Sequence, residues 1–343
     1  MHTPEHPRVS VIIVNWNGRS HLSDCLESLE GQSYRDFEVI LVDNGSVDGS
    51  IDFVQEKYPW IKTLALAENT GFARGNNIGF EKSSGEYVVT LNNDTRVAAD
   101  WLELLVATAD CHPEVGMVGS RICAFNSPDT IDSLGVLICR DGMSRGAYRR
   151  QSFSSLCLTG SMEILLPSAC AALYRRSMLE KVGFFDDEFF AYCEDTDLGL
   201  RCRLAGWKAL LALEAVVLHK YSETSGSFSP FKIYLVERNH YWLAMKILPP
   251  TRLLFLPLFT LMRFSVQCWG VLIGRGAGKE FASGESKTAI ISAILSGMSD
   301  AMRGLPAAYR KRRAIRAACA ISNREQLVLL NRYKMTFRAL LDI

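Results

Sequence analysis

The N-terminal part of the chain alternates short apolar runs with segments of helical spacing. Residues 9–15 form a nearly continuous apolar run, and in residues 20–30 the apolar side chains return every three or four positions. Apolar strands that alternate with amphipathic helices indicate an α/β fold with a mostly parallel central sheet covered on both faces. The elements predicted after these two are strands over residues 37–42, 61–66 and 86–91 and helices over residues 50–57, 71–83 and 101–110.

Polar side chains stand directly after three of the predicted strands. Asn15 and Asn17 follow the first strand, Asp43 and Asn44 follow the second, and residues 92–94 (NND) follow the fourth. In sheets of this kind, ligands bind at the carboxyl ends of the strands. The pattern therefore predicts one binding site built from these side chains.

The pattern changes further along the chain. Residues 120–165 mix Ser, Gly and Arg with short apolar runs and are less regular. Regular spacing then returns. It predicts a helix over residues 177–182, a turn at 183–186 (GFFD), a helix beginning near Glu194 and a strand over residues 209–218.

Residues 253–273 are strongly apolar, but Pro257, Arg263 and Gln267 interrupt them. A membrane-spanning helix needs about 20 uninterrupted apolar residues, and a central Arg is costly in the bilayer. Two interpretations of this segment remain open. It forms either an interfacial helix or helical hairpin against a bilayer, or a buried helical pair in a soluble domain.

Composition narrows the class of protein. The chain has 343 residues, 48% of them hydrophobic, with 38 Lys and Arg against 37 Asp and Glu. These values exclude a disordered tail protein and a disulfide scaffold, and the balanced charge argues against a nucleic-acid binder. The ten cysteines form no CxxC pair, and most lie in apolar segments, which is typical of reduced core residues in a cytosolic protein.

The charge is divided unevenly along the chain. Residues 1–251 carry 23 basic and 32 acidic side chains, a net charge of −9, whereas residues 252–343 carry 15 and 5, a net charge of +10. The basic residues include the run 310–313 (RKRR) and Arg316. Such clusters attract anionic lipid by about 1 kcal/mol per basic residue, so this end favours contact with a membrane surface.

Asp94 is the candidate centre for a cation. The sequence contains no P-loop and no GxGxxG motif, so a phosphate-bearing ligand must be held by other means. A carboxylate at the end of a buried strand can coordinate Mg²⁺, which needs only one or two protein carboxylates beside substrate phosphates. The alternative is a turn capped by Asn92, Asn93 and Asp94, which these residue types favour.

Two further groups suit acid–base or metal chemistry. Glu194, Asp195 and Asp197 begin a predicted helix after an aromatic stretch over residues 184–192, so a carboxylate here can serve as general base at a cleft wall. The alternative is an acidic first helical turn. His219 closes an apolar strand, where a histidine acts as a metal ligand, a phosphate contact or a structural residue.

Taken together and in this order, the motifs resemble the family 2 glycosyltransferases of the GT-A fold, and within them the bacterial rhamnosyltransferase-like branch. The resemblance covers about residues 8–225. The segments that carry it are 11–18 (VIIVNWNG), 41–46 (LVDNGS), 48–50 (DGS), 68–73 (ENTGFA), 75–79 (GNNIG), 91–95 (LNNDT) and 183–201, which begins with GFFD and includes the Glu194-Asp195 pair.

The resemblance implies a role for each matching position. Asp195 is the implied catalytic base. Asp94 corresponds to the last residue of the family's Asp-x-Asp metal motif, in which Asn92 replaces the first Asp, and His219 corresponds to a histidine that completes metal or diphosphate binding. The implied cofactor is Mg²⁺ or Mn²⁺. The residues implied in substrate binding are Asn15, Asn17, Asp43, Asn44, Asn69, Gly71, Phe72, Asn76, Asn93, Glu194 and Arg201.

The implied activity is an inverting, metal-dependent glycosyl transfer, because one base opposite the leaving diphosphate suffices for a single displacement. The implied donor is a dTDP- or UDP-sugar. Rhamnose from dTDP-rhamnose is the first choice, and galactofuranose, glucose, mannose and N-acetylglucosamine donors stay open. The implied acceptor is lipid-linked or a polysaccharide, in cell-surface glycan synthesis at the inner face of the plasma membrane.

The domain prediction follows from the same resemblance. Residues 1–240 would form the GT-A domain, and residues 241–343 would form a basic, apolar helical region at the membrane surface. The alternative to an enzyme is a catalytically silent nucleotide-sugar binding module that scaffolds polysaccharide assembly, and the intact Glu194-Asp195 pair argues against it. A processive synthase is disfavoured, because the sequence has no QxxRW motif and at most one apolar helical pair.

Overall fold

The computed structural model describes residues 5–220, 229–273 and 287–341 of the chain. The chain forms two compact units. The sheet unit consists of Met1–Val136, Gly146–Arg203 and Trp207–Thr224, and the helical unit consists of Leu137–Arg145, Leu204–Gly206 and Ser225–Ile343.

Strands and helices alternate at the start of the chain, as the hydrophobic pattern predicts. In chain order the elements up to residue 219 are β1 (Val9–Asn15), α1 (Arg19–Glu30), β2 (Phe37–Asp43), α2 (Ser50–Lys57), β3 (Lys62–Ala65), α3 (Gly71–Glu81), β4 (Tyr87–Leu91), β5 (Thr95–Val97), α4 (Trp101–Cys111), β6 (Val115–Ala124), β7 (Ser127–Ser133), β8 (Val136–Ile138), β9 (Ser144–Gly146), β10 (Ser161–Glu163), β11 (Ala171–Arg175), α5 (Arg176–Val182), α6 (Glu194–Leu204) and β12 (Lys208–His219).

A ten-stranded mixed sheet forms the centre of the described part of the sheet unit. Its order is β10-β12-β6-β11-β4-β1-β2-β3, with β5 paired to β12 and β7 paired to β6. Strands β3, β2, β1 and β4 are parallel and β12 is parallel to β6, whereas β11 is antiparallel to both β4 and β6. The predicted α/β class is confirmed, and β11 is the strand that joins the two parallel groups.

Each strand at the centre of the sheet supplies two cores. Along β1, Val9, Val11 and Ile13 lie in a core shared with α1, α2 and α4, whereas Ile12 lies in a core shared with α3, α5 and α6. Successive side chains of a strand point to opposite faces, so a nearly continuous apolar sequence is required. This burial fixes the strand register and with it the position of the polar residues at the strand ends.

The region of residues 120–165 is more regular than its pattern indicates. Strand β6 pairs with β12 on one side and β11 on the other, and the chain then turns back through β7. Strands β8 and β9 form a small sheet of their own, and β10 lies at the edge of the large one. The partners of β6 lie far along the chain, so pairing with them overrides a weak local pattern.

The helical unit is built around α7 (Pro230–Ile247), and α10 packs along it. Its further helices are α8 (Pro250–Leu254), α9 (Leu256–Leu272), α10 (Lys287–Ala317) and α11 (Asn323–Arg332), followed by a 3-10 turn at Phe337–Leu341. The predicted C-terminal helical region is confirmed. Helix α7 runs through residue 240, and the predicted domain boundary there stays a prediction. Within the described ranges, no helix has both the length and the apolar content needed to cross a bilayer.

Candidate active site

Side-chain hydrogen bonds connect the ends of three strands. Asn15 ends β1, Asp43 ends β2, and Asn93 follows β4. The Asn15 Nδ2 group donates to Asp43 Oδ1 at 3.0 Å, and the Asn93 Nδ2 group donates to Asn15 Oδ1 at 2.8 Å. All three side chains are buried. The polar residues that follow separate strands in the sequence thus form one connected group at the carboxyl edge of the sheet.

Ser46 fastens the loop after β2 to the loop after β1. Its Oγ accepts a hydrogen bond from the Asn17 N–H at 2.8 Å, while its own N–H donates to Asp43 Oδ2 at 3.0 Å. The Asn17 Oδ1 atom accepts from the Val47 N–H at 2.9 Å. Asn17 has a φ of +49°, a left-handed conformation that asparagine tolerates better than most residues. The two loops are therefore held together beside Asp43.

Asn44 and Asn69 build the turn that begins α3. The Asn44 Nδ2 group donates to Asn69 Oδ1 at 2.9 Å and to the Gly71 carbonyl at 3.1 Å, and Asn44 Oδ1 accepts from the Thr70 N–H at 2.9 Å. Gly71 has a φ of +89°, and a Cβ atom there would lie 2.5 Å from the Phe190 carbonyl oxygen. Only glycine suits this close approach.

Phe72 and Asn76 lie in the first turns of α3. The Asn76 Nδ2 group donates to the Phe72 carbonyl at 2.9 Å, and Asn76 is buried. The Phe72 ring packs against Phe185 with 5.9 Å between ring centroids. Asn77 donates to the Phe185 carbonyl at 2.8 Å and accepts from its N–H at 3.1 Å. These contacts bind α3 to the GFFD turn.

The chain directly before α6 is strained. Phe190, Tyr192 and Cys193 have positive φ angles of +64°, +69° and +70°. Non-glycine residues in this region cost free energy and collect at functional sites. The Ala73 N–H donates to the Phe190 carbonyl at 3.0 Å. The start of α3 therefore holds the strained segment that leads to the acidic residues.

Two carboxyl groups of different exposure begin α6. Glu194 is buried, and its Oε2 atom accepts no hydrogen bond from the described part of the chain. Asp195 is half-buried; its Oδ1 accepts from the Thr196 N–H at 2.6 Å and its Oδ2 from the Ala169 N–H at 3.4 Å. Burial raises the pKa of Asp195, and burial together with the Asp195 charge raises the pKa of Glu194 well above its ordinary value. Asp195 is the more accessible of the two.

The guanidinium group of Arg201 binds the GFFD turn. Its Nε donates to Asp197 Oδ2 at 2.8 Å, its Nη1 donates to the Val182 and Gly183 carbonyls at 2.6 and 2.9 Å, and its Nη2 donates to the Phe184 carbonyl at 2.5 Å. Arg201 is buried, so these contacts fix the turn to α6. Direct contact between Arg201 and a substrate stays a prediction.

His219 lies between two carboxylates. The pairing of β12 with β5 aligns His219 with Thr95, which places the imidazole beside Asp94. Its Nε2 is 3.4 Å from Asp94 Oδ1, and its Nδ1 is 2.8 Å from Asp132 Oδ2. Burial alone would lower the pKa of His219, but Cys170, Asp132 and Asp94 raise the pKa well above its ordinary value. Burial alone would raise the pKa of Asp94, but His219 outweighs it and holds the pKa low.

The Asp94–His219 pair fits a divalent cation. Asp94 Oδ1 is buried and accepts no hydrogen bond among the described residues. Asp132 holds the other nitrogen of His219, as a carboxylate commonly does for a metal-ligating histidine. In the described ranges no group of three or more His, Cys, Asp or Glu side chains could hold a metal ion. A site with two protein ligands suits a hard cation that keeps water and phosphate oxygens in its coordination shell.

Residues 168–170 contact both the turn after β4, which carries Asp94, and the start of α6, which carries Asp195. The Asn92 N–H, in the turn after β4, donates to the Cys170 carbonyl at 2.8 Å. The Ala169 N–H donates to Asp195 Oδ2 at 3.4 Å. Strand β11 begins directly after this segment and runs antiparallel to β4. The turn after β4 carries the candidate metal ligand, and it contacts residues 168–170. The candidate base contacts the same three residues.

Two residues of this arrangement were not singled out from the sequence. Asp132 lies on β7, in the less regular region, and 87 positions separate it from His219. No local signal marks Asp132. Ser46 lies inside the LVDNGS motif, three positions after Asp43, and a closer study of that motif could have found it.

Residues 10–183 match the family model described as "Glycosyl transferase family 2". The chain belongs to glycosyl transferase family 2. The resemblance drawn from the motifs is confirmed, and the protein is a glycosyltransferase.

A curated relative of this glycosyltransferase is the N-acetylglucosaminyl-diphospho-decaprenol L-rhamnosyltransferase of Mycobacterium tuberculosis. The two are 28% identical over an alignment of 241 positions that covers 63% of this chain and 77% of the relative. The sequence motifs resemble the rhamnosyltransferase-like branch, and this relative is named as an L-rhamnosyltransferase.

Two solved structures place the glycosyltransferase in the GT-A fold. S. aureus TarS 1–349 in complex with UDP has a TM-score of 0.54 and 16% identity, covering 97% of this chain and 90% of that one. GalNAc-T7 with UDP, GalNAc and Mn²⁺ has a TM-score of 0.59 and 15% identity, covering 74% of this chain and 50% of that one. At such identities the likeness concerns the fold alone.

Proposed function

We propose that this glycosyltransferase moves a sugar from a nucleoside diphosphate-sugar to a hydroxyl group of a lipid-linked or polysaccharide acceptor in bacterial cell-surface glycan synthesis. The observation that carries the proposal is that the turn after β4 and the Asp195 carboxylate both bind residues 168–170. The leaving diphosphate and the attacking hydroxyl react at one sugar carbon, so the protein groups that serve them must lie close together.

The proposed donor is dTDP-rhamnose, and the transferred sugar is rhamnose. The name of the mycobacterial relative specifies an L-rhamnosyl group and an N-acetylglucosaminyl-diphospho-decaprenol acceptor, and it supports both the donor and a lipid-linked acceptor. The TarS and GalNAc-T7 structures contain UDP, so UDP-sugars are the second class to test.

The donor would lie along the carboxyl edge of the sheet. Asn15, Asn17 and Asp43 would contact the nucleoside, since their loops are fastened together at this edge. Asn44 and Asn93 would act by holding these loops and the start of α3, because their amide groups are engaged in the hydrogen bonds described above. The remaining pocket would be lined by Asn69, Gly71, Phe72 and Asn76.

Asp94 and His219 would hold Mg²⁺ or Mn²⁺. The ligand atoms would be Asp94 Oδ1 and His219 Nε2, with Asp132 orienting the imidazole. A bound divalent cation neutralises the charge that develops on a leaving diphosphate. The Mn²⁺ in the GalNAc-T7 structure supports this choice of cation.

Asp195 would act as the general base. It would accept the proton of the acceptor hydroxyl while the hydroxyl oxygen bonds to the anomeric carbon and the bond from that carbon to the diphosphate oxygen breaks. Because one carboxylate acts from the side opposite the leaving group, the anomeric configuration would invert. Glu194 and Arg201 would support the base by their places in the first turn of α6 and in the GFFD contacts.

The enzyme would work at the inner face of the plasma membrane as a peripheral protein. The proposed lipid-linked acceptor would be found there, and the excess of basic residues after residue 251 favours anionic lipid.

The proposal is tested by measuring release of the nucleoside diphosphate from dTDP-rhamnose and from UDP-sugars. The reaction contains Mn²⁺ and an N-acetylglucosaminyl-diphospho-polyprenol acceptor, and the control adds EDTA. We expect turnover with one donor, loss of turnover with EDTA, and an inverted anomeric configuration in the product by NMR. Absence of metal-dependent turnover with every donor would instead support a silent nucleotide-sugar binding module.

A further inference from the structure

Helix α9 has its polar side buried and its apolar side exposed. The buried residues of α9 are Thr260, Arg263 and Gly270. On the opposite side, Leu261 and Trp269 are 64% and 60% exposed. A surface helix of a soluble domain has the reverse arrangement, because the apolar stripe is the side that it buries. We define the α9 outer face as eight exposed residues of segment 254–272, namely Leu254, Phe255, Leu258, Leu261, Met262, Cys268, Trp269 and Leu272. The polar Ser265 is also exposed on this side, and its hydroxyl donates to the Leu261 carbonyl at 2.9 Å.

The charge of Arg263 does not oppose contact between α9 and a bilayer. Its Nε donates to Asp141 Oδ2 at 2.7 Å, and its Nη2 and Nη1 donate to the Glu237 carboxylate at 2.6 and 3.2 Å. The Arg263 side chain is 1% exposed and both carboxylates are buried. In the sequence, Arg263 interrupts an apolar segment. In the structure, it is paired with the Asp141 and Glu237 carboxylates inside the helical unit.

Helix α10 also presents an apolar stripe. Ile291, Leu295, Met302 and Tyr309 recur at helical spacing and are each at least half exposed. The opposite side of α10 packs on α7 through residues such as Gly297, whose Cα leaves room for the Tyr234 carbonyl. Single exposed apolar residues are normal on a protein surface, whereas a continuous apolar stripe along a helix marks an interaction surface.

The basic run of residues 310–313 contributes fewer charges to the surface than the sequence indicates. Arg312 donates to the Met245 and Leu248 carbonyls, and Arg316 donates to the carbonyls of Ile247 and Leu248. These two side chains cap the C-terminal end of α7.

Arg310 and Arg313 are the exposed arginines of the run. They follow the apolar stripe of α10 directly, since Tyr309 is its last member. An apolar helical surface followed by exposed arginines is complementary to anionic headgroups above an acyl layer.

We propose that the α9 outer face inserts into the interfacial layer of an anionic phospholipid bilayer, with α9 lying parallel to the membrane plane and Arg310 and Arg313 contacting headgroups. A helix that lies in the interface buries one apolar face and keeps its polar side out of the acyl layer. In α9 the polar side is satisfied within the helical unit. The inference rests on the proposed function for its purpose, because a lipid-linked acceptor would be found at the same surface.

The first test uses two exposed cysteines of the unmodified protein, Cys268 on the α9 outer face and Cys111 at the end of α4. The full chain is treated with a membrane-impermeant maleimide in the presence of phosphatidylcholine vesicles, with and without phosphatidylglycerol. We expect the protein to co-sediment with the anionic vesicles. The labelling rate of Cys268 should then fall roughly tenfold or more, whereas the labelling rate of Cys111 should stay unchanged. Unchanged labelling of Cys268 on bound vesicles would overturn the proposal.

The second test changes the α9 outer face itself. In the double variant Leu258→Glu, Leu261→Glu, partitioning into anionic vesicles should fall roughly 100-fold, because two exposed leucines that the bilayer would bury are replaced by charges that the lipid repels. Val328→Glu on α11 is the matched control, since Val328 is also 64% exposed, and its partitioning should be unchanged. Equal partitioning of the double variant and the wild type would contradict the inserted face.

Two outcomes distinguish insertion into lipid from contact between copies of the chain and from the transfer reaction itself. If Cys268 became protected with protein concentration alone, with a dimer in light scattering and no vesicle binding, the face would belong to a second copy of the chain and the proposal would fail. Donor hydrolysis is measured separately in solution without vesicles. Vesicle binding without any donor turnover would count against the proposed function but would not contradict lipid binding by the α9 outer face.

Discussion

The Asp195 side chain accepts two backbone hydrogen bonds, from Thr196 and Ala169, and stays half-buried. We expect Asp195→Asn to lower kcat by about 10²–10⁴, because the amide cannot accept the hydroxyl proton. Donor binding by calorimetry and the thermal midpoint should change little, since Asn keeps the shape and one acceptor oxygen. Full turnover by the variant would remove Asp195 from the mechanism.

The raised pKa of Asp195 sets the acid side of the pH profile. A base works only when deprotonated, so activity should be lost as the pH falls through a value above the ordinary carboxyl pKa of about 4. Burial first, and then the Asp195 charge, raise the pKa of Glu194 well above its ordinary value, so we expect Glu194 to hold its proton while Asp195 titrates. Glu194→Gln should therefore keep the acid limb of kcat/KM in place, and a clear shift of that limb would show an ionised Glu194.

Asp132 is expected to act through His219. Asp132→Asn should weaken Mn²⁺ binding by roughly 10- to 100-fold, because the imidazole loses the carboxylate that orients it. The measurement is the free Mn²⁺ signal in electron paramagnetic resonance, in the presence of nucleoside diphosphate. Asp129→Asn is the control, since Asp129 lies on the same strand and bonds Ser152 and Ser154 at the surface. Equal Mn²⁺ affinity in both variants would contradict the assigned role.

At the scale of elements, the packing of α3 on the sheet depends on small side chains. A Cβ atom at Gly79 would lie 2.5 Å from Ile12 Cγ2, whereas one at Gly31 would meet only ordinary contacts of 3.6 Å or more. We expect Gly79→Val to lower the free energy of unfolding by about 1–3 kcal/mol and Gly31→Val to leave it nearly unchanged. Urea unfolding of both variants provides the measurement, and equal stabilities would show that α3 shifts without cost.

The hydrophobic pattern predicts the elements whose buried positions recur with the local period of a strand or a helix. Strand β1, helix α3 and the start of α6 at Glu194 agree with the predicted positions within a few residues. Strands β6 and β7 were not predicted, because their regularity comes from pairing with β11 and β12 and not from a local period. The same pairing carries Asp132 to His219.

At the scale of the whole molecule, none of the ten cysteines forms a disulfide, and their exposure reports the folding of both units. Burial raises the pKa of Cys25, Cys139 and Cys202 to about 12. We expect a thiol reagent to modify the exposed Cys111, Cys157 and Cys268 rapidly in the native protein, and the buried cysteines only after unfolding. Intact-mass measurement against time checks this, and early modification of Cys25 or Cys202 would contradict the described core.

The amino-acid sequence by itself determined the alternating strands and helices, the family, and the gathering of Asn15, Asp43 and Asn93 at one edge of a sheet. Those features follow from local periodicity and from the rule that parallel strands end at the same edge. Only the tertiary structure decided which partner each buried charge has. Asp132 reaches His219 across 87 positions and Arg263 reaches Asp141 across 122, and a local pattern contains no information about such pairs.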